Sequence, residues 1–146
     1  MRITQEADYA LRIVSLLAGS ETPVGAPQVA EAVGVPSRFA MKILRKLSLG
    51  GVVKSTRGVS GGYRLALPPE EISLRSVIET IDGEIAIRHC LLADHICSRN
   101  ADKGACRFHH VFAELNGMIT ERLSRLSIGD MVNDNIPINE LVKILK

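Results

Sequence analysis

The sequence predicts a mainly α-helical chain that carries one small β-hairpin and ends in a long helix. Apolar residues make up 46% of the 146 residues and aromatic residues only 3%, with no Trp. This balance suits helices that pack through Leu, Ile, Val and Ala. Most apolar residues recur at helical spacing, and two short β-type runs flank one Gly-rich loop. The length fits one domain, or a small domain with an extension.

The first three predicted helices each have start and stop signals. Thr4 can cap the first helix, which ends at Gly19-Ser20. Pro27 suits the first turn of a second helix over Ala26–Val33, with Gly34 as its terminator. Pro36-Ser37 then begins a third helix over about Ser37–Leu49. Two helices joined by so short a turn predict a helix-turn-helix arrangement.

A β-hairpin is predicted directly after the third helix. Its strands occupy residues 52–56 and 63–67, and the loop between them contains Arg57 and three glycines. Because glycine permits positive φ and close approach to another backbone, we interpret the hairpin as a wing whose tip carries Arg57 towards a groove. The alternative interpretation is a mobile hairpin loop with an incidental Arg.

Basic residues are concentrated between residues 34 and 69. This stretch holds seven Lys or Arg and no Asp or Glu, whereas the whole chain has a net charge of only +2. The remaining residues are therefore net acidic. A basic segment on an otherwise acidic chain predicts a surface that binds a polyanion. The alternative is a solvated helix face.

The C-terminal half is predicted as a helix over residues 73–82, a connecting segment, and a long helix from about Arg107 to Leu126. The apolar stripe of the long helix consists of Phe108, Val111, Phe112, Leu115, Ile119, Leu123 and Leu126. So long a stripe in a small chain is expected to be covered by its copy in a second subunit. The predicted boundaries are 1–83 for the winged helix-turn-helix, 84–106 for a cysteine-containing loop, 107–132 for the dimerisation helix and 133–146 for a tail of unassigned role.

Three cysteines, Cys90, Cys97 and Cys106, lie in a polar stretch that is not expected to form a core, and every histidine lies within a few residues of one of them. Thiolates on a flexible loop are the ligands that a metal or cluster needs. The odd number of cysteines argues against a disulfide framework, and the spacing is not that of a zinc knuckle. An iron–sulfur cluster is favoured over a structural zinc site with three Cys and one His, and over unrelated free thiols.

Several other classes of protein are disfavoured. The N-terminus has no signal-peptide pattern and no apolar run approaches the roughly 20 residues of a membrane span, so a cytoplasmic protein without a membrane partner is expected. The chain has no Gly-rich phosphate loop after a strand and no C-x₂-C redox pair. We therefore expect neither an enzyme nor a small-molecule substrate.

The chain resembles the IscR/NsrR family of winged-helix repressors over about residues 1–130. The resemblance rests on the opening TQEADYALR, the helix-turn-helix, the wing RGVSGGY, the following ISLRSVIETIDG and the three closely spaced cysteines. It implies a homodimer, crossed through the long helix, that binds palindromic operator DNA. It also implies an iron–sulfur cluster, held by Cys90, Cys97 and Cys106, whose loss or oxidation changes DNA affinity.

Members of this family differ in the fourth cluster ligand, and the sequence offers both choices. His109 stands three residues after Cys106, as in the IscR type with its 2Fe–2S cluster. Asp8 matches the NsrR type, in which the N-terminal helix of the other subunit supplies a carboxylate to a 4Fe–4S cluster. Because IscR-like sequences have a basic residue at the position of Asp8, Asp8 and 4Fe–4S are slightly favoured. The cysteine loop is longer than in either type.

The resemblance and the helix positions together assign expected DNA contacts. Lys42, Arg45 and Lys46 are expected to neutralise phosphates, and Gln28 to touch one. Ser37 and Arg38 are the candidates for reading base edges, with Arg57 in the minor groove.

A cluster that joins Asp8 of one subunit to the loop of the other would hold the dimer at the spacing the operator needs. It would respond to redox state, nitric oxide or iron status. The alternative is a winged-helix regulator with a structural zinc or thiol-redox loop.

Overall fold

The computed structural model describes residues 3–58, 60–97 and 102–146. Within these ranges the chain forms seven helices and one antiparallel hairpin, so the predicted fold class is confirmed. In chain order the elements are α1 (Gln5–Ala18), α2 (Ala26–Val33), α3 (Ser37–Leu49), β1 (Val53–Thr56), β2 (Gly62–Leu65), α4 (Leu74–Asp82), α5 (Arg107–Arg125), α6 (Ile128–Val132) and α7 (Ile138–Ile144). Of the helices described, none is both long and apolar enough to cross a membrane.

Local capping contacts fix the helix-turn-helix. The Thr4 hydroxyl accepts a hydrogen bond from the Ala7 N–H at 3.2 Å, which satisfies a free donor at the start of α1. Gly34 ends α2 in the left-handed conformation (φ 73°), which glycine adopts without strain. The next amide, of Val35, donates to the Ala30 carbonyl at 3.0 Å. These contacts set the short turn from which α3 departs.

The hairpin is anchored through the start of β2 to the loop before α2. Its strands pair with Val53 opposite Leu65 and are shorter than predicted. Val24 and Tyr63 exchange two backbone hydrogen bonds of 2.9 and 2.8 Å. The backbones approach so closely that a Cβ on Gly62 would lie 2.7 Å from the Val24 carbonyl oxygen. The hairpin therefore has a fixed position beside α2.

The core lies between α1, α3, α4 and α6. Its largest fully buried side chains include Ile13 from α1, Ile43 and Leu44 from α3, Val77 from α4 and Ile128 from α6. Each contributes about 1.5–3 kcal/mol through burial. The N-terminal helices and a C-terminal helix thus belong to one packed unit.

The segment 107–132, predicted as one helix, is interrupted after Arg125. Leu126 is extended (φ −93°, ψ 122°), and its carbonyl accepts the Leu74 N–H at 2.9 Å. Ser127 then starts α6 with a reciprocal cap to Asp130. Leu126 is only 6% exposed and Ile128 fully buried, so the chain returns to the core here. Leu126, predicted as part of the apolar stripe of the long helix, belongs instead to that core.

Candidate DNA-binding surface and cysteine cavity

The side of α3 that faces away from the core is basic. Arg38, Lys42 and Arg45 are exposed on it, and Ser37 is exposed at its start. Met41, 52% exposed, lies on the same side, and the sequence analysis missed it. The signal was its position on the polar arc of the helix, three residues after Arg38. An apolar side chain on such a surface can contact the methyl group of thymine.

Two of the lysines predicted to contact phosphate are engaged by Glu6 of α1. The Lys46 Nζ lies 2.9 Å from Glu6 Oε1 and 3.3 Å from the Ile81 carbonyl oxygen, and the Lys42 Nζ lies 3.3 Å from Glu6 Oε2. Burial acts to raise the pKa of Glu6, but Lys46 and Lys42 outweigh it and hold the pKa below its usual range. The carboxylate is therefore ionised at neutral pH, and both lysines have a partner within the protomer.

The wing presents Arg57 to solvent directly after β1. Beyond it, Gly58 has a φ of 111°, and its carbonyl accepts the Gly61 N–H at 2.9 Å. Val59, in the predicted wing loop, lies outside the described residues. Gln28 is exposed in the first turn of α2, where its side chain lies against Gly25.

Asp8 does not share a site with the cysteines of its own protomer. Its carboxylate pairs with Arg12, one turn further along α1, at 2.7 Å. The Arg12 guanidinium also lies 5.6 Å from the centre of the Tyr9 ring. Asp8 is therefore a partly exposed surface carboxylate in this protomer.

The three cysteines do share one site, a cavity of about 550 Å³ where the segment before α5 meets the start of that helix. All three are free thiols. The cavity is lined by Ile87, Arg88, His89, Cys90, His95, Cys97, Lys103, Cys106, Phe108 and His109. The cavity is thus lined by all three predicted cysteine ligands and by the alternative ligand His109. Residues 98–101 lie outside the described residues.

The chemistry of this donor set fits an iron–sulfur cluster or a zinc ion, because both prefer thiolate with imidazole. Among the described residues, the Nδ1 atom of His109 is buried without a hydrogen-bond partner. His110 differs, since its Nε2 contacts the Gly104 carbonyl oxygen at 2.8 Å. Within the described ranges, no three Cys, His, Asp or Glu side chains are grouped closely enough to hold a metal ion. The donors share a cavity but are not at ligand distances from one another.

One wall of the cavity is fixed to α5 by Asn116. Its Oδ1 accepts the Ile87 N–H at 3.0 Å, and its Nδ2 donates to the Ile85 carbonyl at 2.9 Å. The Arg88 guanidinium lies 5.3 Å from the centre of the Phe112 ring, also on α5. The chain is thus held up to Arg88, two residues before Cys90. Arg88 and Lys103 bring positive charge to the cavity.

The outer side of α5 carries apolar side chains at the surface. Phe108 is 63% exposed, Val111 58%, Leu115 44% and Met118 45%. None of the residues of α5 is buried within the protomer. These four residues, at spacings of three and four, form the outer stripe of α5.

A protein-family model matches residues 3–134 of the chain, and its description is "Rrf2: Iron-dependent Transcriptional regulator". An rrf2-like helix-turn-helix transcriptional regulator of Rhodobacter capsulatus is 36% identical over 97% of the chain and 99% of the relative. The helix-turn-helix transcriptional regulator IscR of Aliivibrio salmonicida is 29% identical over 92% of the chain and 79% of the relative.

Solved structures share the fold. CymR, the global cysteine regulator of B. subtilis, superposes with a TM-score of 0.73 at 21% identity, covering 90% of this chain and 96% of that one. IscR of T. potens superposes with a TM-score of 0.67 at 24% identity, covering 93% of this chain and 89% of that one. The helix order, the hairpin and the long α5 are therefore a shared architecture.

Proposed function

The chain belongs to the Rrf2 family of transcriptional regulators, and we propose that it is a homodimeric repressor whose affinity for palindromic operator DNA is switched by an iron–sulfur cluster. It is a DNA-binding regulator and not an enzyme. The single observation that carries the cluster proposal is the shared cavity of Cys90, Cys97, Cys106 and His109.

The exposed side of α3 supports its entry into the major groove. Arg38, near the start of the helix, is suited to a guanine edge, while Arg45 neutralises phosphate further along. Arg57 of the wing reaches the adjacent minor groove, where narrow A·T-rich sequence attracts arginine. In a dimer the two α3 helices meet successive major grooves, so the operator is a palindrome.

The outer stripe of α5 supports the homodimer. It is apolar, exposed, and continuous over several turns of the longest helix described. A second copy of the same helix covers such a stripe with an identical one, as symmetric dimers require.

The cluster is held by the three cysteines and a fourth ligand. His109 is the best-supported candidate, because it lines the cavity and its buried Nδ1 lacks a hydrogen-bond partner among the described residues. Asp8 of the partner subunit is the second candidate, and it would have to leave Arg12. A bound cluster supplies a centre sensitive to redox state, nitric oxide and iron supply.

A path of contacts joins the cavity wall to α3. Asn116 holds the Ile85 carbonyl, while the Ile85 N–H donates to Glu79 of α4 at 3.4 Å. Two residues beyond Glu79, the Ile81 carbonyl contacts Lys46 of α3. This path supports the proposal that a bound cluster acts on the DNA-binding helix through α4.

The test is DNA affinity measured with and without the cluster. Duplexes selected from a random pool by protein purified without oxygen provide the operator probe. Air or a chelator should then change the wild-type Kd by about tenfold or more, a differential stabilisation of about 1.4 kcal/mol. The Kd of Cys97→Ser should not change with air or a chelator, and it should equal the Kd of the wild type without its cluster. A Cys97→Ser protein that responds like the wild type would contradict the proposal.

The fourth ligand is tested with a matched set of variants. His109→Ala should lose the cluster's visible absorbance, whereas Asp8→Ala and the control His110→Ala should keep it. If Asp8→Ala loses this absorbance and His109→Ala keeps it, the fourth ligand would instead be Asp8 on the N-terminal helix of the partner subunit, which favours 4Fe–4S.

Direct thiol or zinc sensing is the second candidate function. It is favoured by the three free thiols that line one cavity, and the fold neighbours include CymR of Staphylococcus aureus in an oxidised form. In this alternative the affinity of iron-free protein for the same duplex changes when the thiols are oxidised with diamide. No such change is expected if the cluster is the sensor.

A further inference from the structure

We propose that Glu6 is a specificity-determining residue, because it withholds Lys42 and Lys46 from DNA phosphates and so weakens binding to DNA of any sequence. The inference rests on the proposed function, since it requires α3 to enter the major groove. It assigns to α1 a direct part in setting DNA affinity.

The Glu6 carboxylate binds the two lysines as a DNA phosphate would. Its two oxygens meet two ammonium groups one helical turn apart, at 2.9 Å for Lys46 and 3.3 Å for Lys42. A carboxylate and a phosphate are both oxyanions that lysine binds by charge-assisted hydrogen bonds. The Glu6 side chain is only 18% exposed, so solvent screens these pairs less than surface pairs. DNA must displace Glu6 before it can use either lysine.

The ion pairs of Glu6 with Lys42 and Lys46 affect the contacts to DNA phosphates and not those to base edges. Phosphate contacts supply nearly all sequence-independent affinity, and each adds about 0.9 to the slope of log K against log salt. Base-edge contacts supply discrimination. Arg38 and Arg45, which form no ion pair among the described residues, stay free for DNA. Glu6 therefore lowers non-specific affinity more than operator affinity, which raises their ratio.

A purely structural ion pair would behave differently. If Glu6 only fixed α1 to α3, its removal would loosen α3 and weaken binding to every duplex. The proposal predicts tighter binding to DNA after removal of Glu6, because two lysines become available to phosphate.

The experiment compares Glu6→Gln with Glu31→Gln. Both substitutions raise the net charge by one, but Glu31 is exposed on α2 and forms no ion pair within the described ranges. The probes are one random-sequence duplex and one duplex selected by the wild type, titrated at several salt concentrations. Glu6→Gln should bind the random duplex about tenfold more tightly at low salt, with a slope steeper by about 0.9 for each lysine released. The ratio of the affinity for the selected duplex to that for the random duplex should be lower than in the wild type.

A second substitution separates released lysines from altered folding. Lys46→Met should change the salt slope little in the wild type, where Lys46 is already paired, but should remove part of the gain in Glu6→Gln. Thermal unfolding and sedimentation check that each variant folds and dimerises. If the wild type selects no sequence, the proposed function fails. If it selects one and Glu6→Gln matches Glu31→Gln on the random duplex, or binds it more weakly, only the inference about Glu6 is overturned.

Discussion

The helix-turn-helix half and the cysteine half of this molecule differ in how completely they are assembled. In the first half Ile13, Ile43 and Leu44 are fully buried, and caps fix each turn. In the second, none of the residues of α5 is buried, and the described parts of the cysteine segment, residues 84–97 and 102–106, form short 3₁₀ turns at His89–Leu91 and Lys103–Ala105. The DNA-binding half is thus packed without a ligand, while the cysteine half brings its donors to one cavity and leaves them apart. Ligand binding can then provide the order that packing does not.

The largest expected effect is in the packed half. Leu44→Ala should lower the free energy of unfolding by about 3 kcal/mol, because it leaves a cavity in the core. Leu49→Ala is the matched control on the same helix, since Leu49 is 80% exposed, and it should change stability by less than about 0.5 kcal/mol. Urea unfolding at one protein concentration measures both. Equal effects would remove the distinction between the core and the outer side of α3.

The second-largest effect is expected at Asn116, which lies at the boundary between the two halves. Asn116→Ala should lower the local opening free energy of the 85–87 segment by about 2 kcal/mol, since two backbone groups lose their partner. Hydrogen exchange should become faster at Ile87 than in the wild type. Ser124→Ala, on the same helix, is the control. Unchanged exchange at Ile87 would mean that the cavity wall is held elsewhere.

A smaller effect tests the wing without touching the cysteine half. Arg57→Ala should weaken operator binding by about tenfold, or about 1.4 kcal/mol, because an arginine is lost from the minor groove. Cluster content and dimerisation should not change. Arg125→Ala, which removes an exposed arginine of α5, should leave binding intact. Full affinity in Arg57→Ala would remove the wing from the DNA contact.

The smallest effect concerns the contact between α1 and α3. Because the pKa of Glu6 is lower when folded, its pairs stabilise the protein above the ordinary glutamate pKa of about 4.3. This contribution, less than about 1 kcal/mol, is lost as the pH falls through the folded pKa. The stability difference between wild type and Glu6→Gln should therefore shrink from about pH 7 to about pH 3. A constant difference would show that the charge is not responsible.

The two halves also differ in how far the sequence predicts them. Local signals predict the bounds of α2, through Pro27 in its first turn and the terminator Gly34, and the start of α3, through Pro36-Ser37. The structure has both helices where these signals predict. The end of α5 lies one residue before the predicted end at about Leu126. The separate helix α6 could not be predicted from local signals, because the return of the chain to the core depends on pairing of Leu126 with Leu74, some fifty residues earlier along the chain.

The candidate site shows the same limit. Sequence spacing brought the three cysteines and His109 together as a candidate set, and all four line one cavity. The Glu6–Lys46 contact was missed because its partners lie on different helices, α1 and α3. The preference for Asp8 over His109 came from the resemblance alone. The unpartnered Nδ1 of His109 among the described residues supports the proposal of His109 as the fourth ligand, and the role of Asp8 from the partner subunit stays a prediction.

One measurement tests the central claim that a cluster completes the cysteine half. It is the absorbance spectrum of the full chain purified without oxygen, together with its iron, acid-labile sulfide and zinc contents. The account predicts visible absorbance with equal iron and sulfide, about two per chain with His109 as ligand or about four with Asp8 of the partner subunit. About one zinc per chain without sulfide would contradict the account. It would leave the winged helix in place, with the cysteine loop as a structural zinc site.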